Sequence, residues 1–526
     1  MRAPVTRRTA LLLGGGALAS AAAQPAAPLD IRSFGAIGDA SAPATAAINR
    51  AIAAAATSGG GTVLVPPGTW LCHSLHLASR VILVLAPGAT ILAADAPAHG
   101  DADGYDPPEP EAPWAAYQDF GHNHWRNSLI WGDGISDAAI LGPGLIHGRG
   151  LSRSVRAERG LPPATAPGAG NKAIALRNCR NIVLRDLGIL KGGHFGVLAT
   201  GCVNLTLDAL TIDTDRDGIN IDCCRDVRIT GCRVNSPWDD GICLKSTWAL
   251  GAARPTENVT ISDCRVTGLY RPGTLLDGSV RRFADPREDN GDDPTGRIKF
   301  GTESAGGFRN IAISNCIFEG CRGLALECVD GGTVEDIIIT GLVMRDIRNA
   351  PIFLRLAARL RAPPGRPVGV LRRVIISDVD CDAPANTMPA IIAGLPGHPV
   401  EDVTLSNIRL RQQGSGSAAM AAVIPPELPD AYPEPSGFGP LPALGLFVRH
   451  ARNLELRNVG IESVAPDARP ALWLADVDRA TLNGLRLPDD ARAPACMLAD
   501  VRGLRITDSD RLGDGRIAAI AHGTLP

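Results

Sequence analysis

Asn181-Ile182-Val183-Leu184, Asn204-Leu205-Thr206-Leu207 and Asp226-Val227-Arg228-Ile229 are one four-residue figure, an amide or acid followed by apolar, variable and apolar residues. The figure returns at Asn258, Asn310, Asp336, Asp402 and Asn453, and its closest copies stand 22 or 23 residues apart. Each repeat holds two or three runs of about four residues alternating apolar and polar, which is strand periodicity, separated by Asn, Gly and Asp turns. One such coil cannot bury its inward face. Stacked coils can, each strand pairing with the coil above, so the repeat predicts an all-β chain wound as a parallel β-helix.

Wider gaps in the series, such as Asn258 to Asn310 and Asp402 to Asn453, mark loops leaving the coils. The main excursions are residues 98–128, 268–296 and 411–441, rich in Pro, Gly and charge, and loops of this kind on one face build a cleft. For the last of them, disordered decoration is the alternative. Near the start, Thr45 to Ala55 reads as an amphipathic helix stopped by Gly59-Gly60-Gly61 and followed by the strand Thr62 to Pro66. Such a helix is expected to plug the open end of the solenoid, which would otherwise expose core and unpaired strand edges.

In 526 residues, 52 basic side chains nearly balance 55 acidic ones, which argues against nucleic-acid partners and a basic membrane-binding surface. Residues 1–23, with Arg7-Arg8 ahead of an apolar Gly/Ala run, have the sections of a twin-arginine export signal. The expectation is a periplasmic or secreted protein, a single β-helix domain over 24–526, with no membrane span. Thirteen cysteines recur at matching places in the repeats, as at Cys179, Cys202, Cys224, Cys264 and Cys316, and read as small buried side chains. Local bridges at Cys223-Cys224 or between Cys316 and Cys321 stay open. No Cys-x-x-Cys pair with histidine partners points to a metal, and no cofactor is expected.

Against this monotony stand Asp215-Arg216-Asp217-Gly218 and, one coil on, Trp238-Asp239-Asp240-Gly241. Registering Gly218 on Gly241 puts Asp217 beside Asp240, with Asp239 leaning out, Ile219 and Ile221 stacked inward on Ile242 and Leu244, and Asp222 above Lys245. Acids held this close raise each other's proton affinity, a cost that a site which gives and takes protons can use. The alternative is that these aspartates cap turns.

Taken together, Asp30-Ile31-Arg32-Ser33-Phe34-Gly35-Ala36, the Gly59 to Pro67 passage, Leu141-Gly142-Pro143-Gly144 and the two acidic motifs resemble glycoside hydrolase family 28, the polygalacturonases and rhamnogalacturonan hydrolases. The resemblance covers roughly residues 28 to 350. It implies a right-handed β-helix and an inverting hydrolysis of a pectin-like, uronate- or rhamnose-containing polysaccharide or oligosaccharide. Asp239 would protonate the glycosidic oxygen while Asp217 and Asp240 activate water, with carboxyl groups about 6.5–9.5 Å apart.

Two family motifs are replaced. The expected histidine falls at Gly296-Arg297, and Arg322 to Glu327 occupies the Arg-Ile-Lys position, with Ala325 and Glu327 at its basic places. Arg297 and Lys299 are candidates for holding a sugar carboxylate, against charge pairing with Asp222, Glu303 or Glu327. Lys245, His194, Trp238 and Glu327 complete the candidate substrate-binding set. Their alternatives are a structural ion pair for Lys245, a satisfied turn histidine for His194, and loop packing for Trp238 and Trp248. His122 and His124 are expected not to reach the cleft. A β-eliminating lyase using Ca²⁺ and a Lys or Arg base, and a non-catalytic carbohydrate-binding solenoid, are the rival functions.

Overall fold

The computed structural model describes residues 27–97, 104–285, 287, 291–489 and 492–526. The export segment read at 1–23 lies outside the described residues. Successive coils supply three parallel ladders. One climbs through Gly61–Val65, Val81–Leu85, Ser136–Leu141, Arg180–Arg185, Val203–Asp208 and Arg225–Thr230. A second runs through Lys172–Arg177, Phe195–Thr200, Asp217–Asp222, Ile242–Ser246 and Ile298–Ser304. The third contains Leu145–His147, Gly188–Leu190, Thr211–Asp213 and Arg233–Asn235. This is the parallel β-helix that the repeat predicts, and a continuous apolar core fills it from Ile31 to Leu512.

The repeating Asn or Asp has a backbone cause. From Asn181 to Asn453 all eight adopt left-handed φ, between 54° and 59°. Asn and Asp tolerate that region because their short polar side chains bond locally. Here they also bond between coils: Asn204 Nδ2 donates to Asn181 Oδ1 (2.9 Å), Asn310 Nδ2 to Asn258 Oδ1 (3.1 Å) and Asn453 Nδ2 to Asp402 Oδ1 (2.7 Å). In other coils the same place is taken by Arg373, Arg479 and Gly503, also left-handed, which is why the figure fades from the sequence there.

All thirteen cysteines are buried free thiols. Six of them form two stacks rather than the single series expected: Cys179, Cys202 and Cys224 precede one ladder, while Cys232, Cys264 and Cys316 precede another.

The plug is the helix Thr45–Thr57, which buries Ala47, Ile48, Ala51, Ile52 and Ala55. At the far end Gly515–Leu525 pairs antiparallel with Cys496–Thr507, covering the last strand edge, a closure the repeat gave no reason to expect. Among the described residues no helix is long and apolar enough to cross a membrane.

Alternation does not leave an exposed outer face on the second ladder. Every residue of Asp217–Asp222 is buried, because loops lie over it. Besides the expected excursions, residues 148–170 and 357–369 also leave the coils. The 411–441 excursion is ordered, not decoration. Arg449 Nη1 and Nη2 donate to the carbonyls of Pro425 (2.7 Å) and Pro426 (2.8 Å), and Arg355 Nη2 to those of Glu427 (2.6 Å) and Leu428 (2.8 Å). Phe438 packs in an outer apolar cluster with Phe353 and Phe447.

Candidate active site

Pairing of Ile219 with Ile242 and Ile221 with Leu244 sets Gly218 opposite Gly241, as the motif spacing predicts. Glycine is required there. A Cβ on Gly218 would stand 2.3 Å from Val234 Cγ1 and 2.6 Å from the Gly241 carbonyl, so a larger residue would push the two coils apart.

One carboxylate oxygen from each of Asp217, Asp239 and Asp240 lies within 4.8 Å of the others. The Asp240 amide donates to Asp217 Oδ1 (3.1 Å) and Asp239 Oδ1 (3.0 Å), fixing the trio through the backbone. Asn220 Nδ2 donates to Asp217 Oδ2 (2.7 Å), and Arg216 Nη2 to Asp239 Oδ2 (2.9 Å). Asp239 leans outward as expected, its side chain 30% exposed against 5% for Asp240. The gap is shorter than the 6.5–9.5 Å expected for an inverting pair.

The three carboxyls differ in electrostatics. Burial, and then the charges of Asp239 and Asp240, hold Asp217 well above the usual carboxylate range. Burial opposes ionisation of Asp240 too, yet Lys299 and Arg297 outweigh it and hold that carboxyl below the range. Arg297 Nε donates to Asp240 Oδ1 at 3.0 Å, and Lys299 Nζ is 3.7 Å from Oδ2. The acids are spaced as cation ligands could be, but Arg216, Arg297 and Lys299 already face them with opposite charge.

The basic candidates are paired within the protein. Arg297 and Lys299 are 1% and 2% exposed; Arg297 also donates to Glu434 Oε1 (2.8 Å), and Lys299 Nζ lies 3.4 Å from Glu327 Oε2. Glu327, fully buried, has its carboxyl raised by burial against the pull of Lys299 and Arg297. Lys245 sits above Asp222 in register but donates to Glu303 Oε2 (2.8 Å) in the next coil, while Asp222 accepts from the Thr247 amide and hydroxyl.

His194 is a satisfied histidine: Nδ1 meets the Arg153 carbonyl at 2.8 Å and Nε2 meets Asp119 Oδ1 at 2.7 Å, leaving neither nitrogen for a sugar. Trp238 carries the Arg159 guanidinium 4.2 Å from its ring centroid, and Trp248 packs with Tyr117 and Arg366, so both serve loop packing. The expectation for His122 is corrected. Its Nε2 lies 3.0 Å from Asn220 Oδ1, and Asn220 in turn holds Asp217. His124 stays away, packed on Phe120 and lowered by burial to about 4.

Glu434 and Tyr432 went unnoticed in the sequence, and Arg322 figured there only as the first residue of the segment at the Arg-Ile-Lys position. Arg322 Nη1 is 3.0 Å from Glu434 Oε1, and the Tyr432 hydroxyl accepts from Thr302 Oγ1 (3.0 Å) and Lys299 Nζ (3.3 Å). The 411–441 loop brings its two residues from more than 130 positions away, and only the Pro-rich composition of that loop hinted at a role.

The fold is a parallel β-helix that carries three carboxylates on adjacent coils beneath overlying loops. A family model described as rhamnogalacturonase A/epimerase, pectate lyase-like, matches residues 29–242, and a right-handed beta helix region matches 166–344. The chain is 24% identical over 455 residues to a probable polygalacturonase of Vitis vinifera, covering 82% of this chain and 83% of the relative. Its fold matches a hyperthermoactive exopolygalacturonase from Thermotoga maritima with a TM-score of 0.56 at 16% identity, over 95% of this chain and 96% of that one. A family 28 exopolygalacturonase of Yersinia enterocolitica matches with 0.51 at 17% identity, over 92% and 78%. The chain is similar in sequence to polygalacturonases and shares its β-helix fold with the two exopolygalacturonases.

Proposed function

We propose that the chain hydrolyses O-glycosidic bonds in a pectin-type polysaccharide or oligosaccharide, with Asp239 as general acid and a water held between Asp217 and Asp240. The observation that carries this reading is the carboxylate trio on adjacent coils, one acid partly exposed and two buried behind it. A glycoside leaves only when its oxygen is protonated, and the exposed acid is the one a substrate can meet. Asp240, kept ionised by Lys299 and Arg297, is suited to draw a proton from water.

Elimination is less well supported, because it needs an unprotonated base. Burial opposes the charge of all three, yet neighbours hold each above its ordinary value: Cys243, Glu303 and Asp217 for Lys245, Glu327, Tyr432 and Asp240 for Lys299, and Glu434, Asp240 and Glu327 for Arg297. We further read the chain as exported through its twin-arginine segment; mass spectrometry of secreted protein should find a start near Gln24.

The test is incubation with a panel of pectic and other polysaccharides, following new reducing ends and their anomeric configuration by NMR. Saturated products with new reducing ends are expected, and a single displacement gives the inverted anomer first. Unsaturated, ultraviolet-absorbing products would replace hydrolysis with elimination; no cleavage across the panel would favour a binding solenoid.

A further inference from the structure

We propose that Glu434 makes the sugar position beside the acid cluster selective for a residue without a free carboxylate, either a neutral sugar or a uronate whose acid is esterified. The inference rests on the hydrolase reading and deepens it. Arg297 and Lys299 are the cations that would be asked to hold a uronate. Both are already committed: Arg297 to Asp240 (3.0 Å) and Glu434 (2.8 Å), Lys299 to Glu327 (3.4 Å) and Asp240 (3.7 Å). With Arg322, which lies 3.0 Å from Glu434, three cations face three carboxylates. The charge is balanced before any substrate arrives.

A uronate entering this position would add a fourth negative charge. It would have to displace Glu434 from two guanidinium groups or sit against it uncompensated, and like charges brought together at an interface work against binding. A hydroxyl meets the opposite situation. Arg297 and Arg322 both end on Glu434 Oε1, and among the described residues Oε2 takes no hydrogen bond from the protein. The Glu434 side chain is 19% exposed, so Oε2 can accept from a sugar O–H. Two residues earlier on the same loop, Tyr432 is 57% exposed while its hydroxyl is pinned by Lys299 and Thr302. It offers a fixed aromatic face next to the carboxylate acceptor, the mixed lining typical of sites that orient a neutral ligand.

The experiment is calorimetric titration of the full chain with three probes: an oligogalacturonide with free acids, the same oligomer fully methyl-esterified, and a neutral rhamnose- and galactose-based oligosaccharide. The wild type is expected to bind the ester, the neutral probe or both at least about tenfold more tightly than the free acid. Which of the two binds names the source of the uncharged residue. Glu434→Gln, which keeps the shape and removes the charge, is expected to narrow the preference by about tenfold. Free acid bound as tightly as ester by the wild type overturns the proposal, and that comparison needs no variant. A preference that Glu434→Gln leaves unchanged, with its melting temperature preserved, also overturns it. Binding of none of the three overturns it together with the hydrolase reading.

Discussion

Replacing Arg297 with methionine tests the buried charge arrangement that the site depends on. The side chain is 1% exposed and touches Asp240 at 3.0 Å, Glu434 at 2.8 Å and Glu327 at 3.8 Å. Its loss leaves three carboxylates facing two cations, Lys299 and Arg322. Removing one member of a buried ion pair typically costs about 3–5 kcal/mol, and that is the expected loss, read as a fall in the urea midpoint at unchanged slope. The pH dependence has a definite sign. Without Arg297 the folded-state carboxyls are pushed above their unfolded values, so the variant is relatively better off at low pH. It loses ground as pH rises through those raised values. The deficit against wild type should therefore be larger at pH 8 than at pH 5. Glu434→Gln in the same chain removes one surplus charge and should recover about 1–2 kcal/mol as a coupling energy in a double-mutant cycle. A loss below about 1 kcal/mol, or a deficit that is flat or larger at pH 5, would refute the reasoning, because the six groups would then not form one balanced cluster.

Other consequences are open to direct measurement. Asp217 must be ionised to help activate water, and burial with two acidic neighbours raises its carboxyl. The acid limb of the kcat profile should therefore lie above the usual carboxylate range, and Asn220→Ala, which removes a 2.7 Å hydrogen bond to the ionised form, should move it further up. Asn310→Leu puts a side chain without a local hydrogen bond into left-handed backbone (φ 54°) and cuts the ladder to Asn258. A loss of about 2 kcal/mol in urea unfolding is expected, with Asn310→Gly losing less. Since all thirteen thiols are buried and free, Ellman's reagent should find almost none in the native protein and all thirteen after denaturation.

The fold was legible wherever chemistry and period coincide. Asn and Asp mark left-handed corners because those residues tolerate them, so coils carrying Asn204, Asp226 or Asn258 announced themselves, whereas Arg373 and Gly503 hold the same corner unseen. The acid cluster was legible because 23 residues separate Gly218 from Gly241 and a coil fixes their register. The charge partners were not. Glu434 reaches Arg297 across 137 positions and His122 reaches Asn220 across 98, and such contacts depend on how long loops fold back rather than on any repeat. Outward positions also misled, since alternation says which side of a strand a residue takes, not whether a loop covers it; Lys299 points away from the core and is 2% exposed all the same. Tyr432 and the excursion at 148–170 belong to that same unseen layer.

The central claim, that Asp239 protonates the leaving oxygen, is met most directly by comparing wild type with Asp239→Asn on whichever pectic substrate the wild type cleaves. The side chain keeps its size and can still meet Arg216, so folding should be unchanged by circular dichroism and melting. Turnover should fall by about 10²–10⁴-fold, the usual contribution of a positioned proton donor, with substrate binding retained. A variant that folds, binds and turns over within a fewfold of wild type would contradict the account.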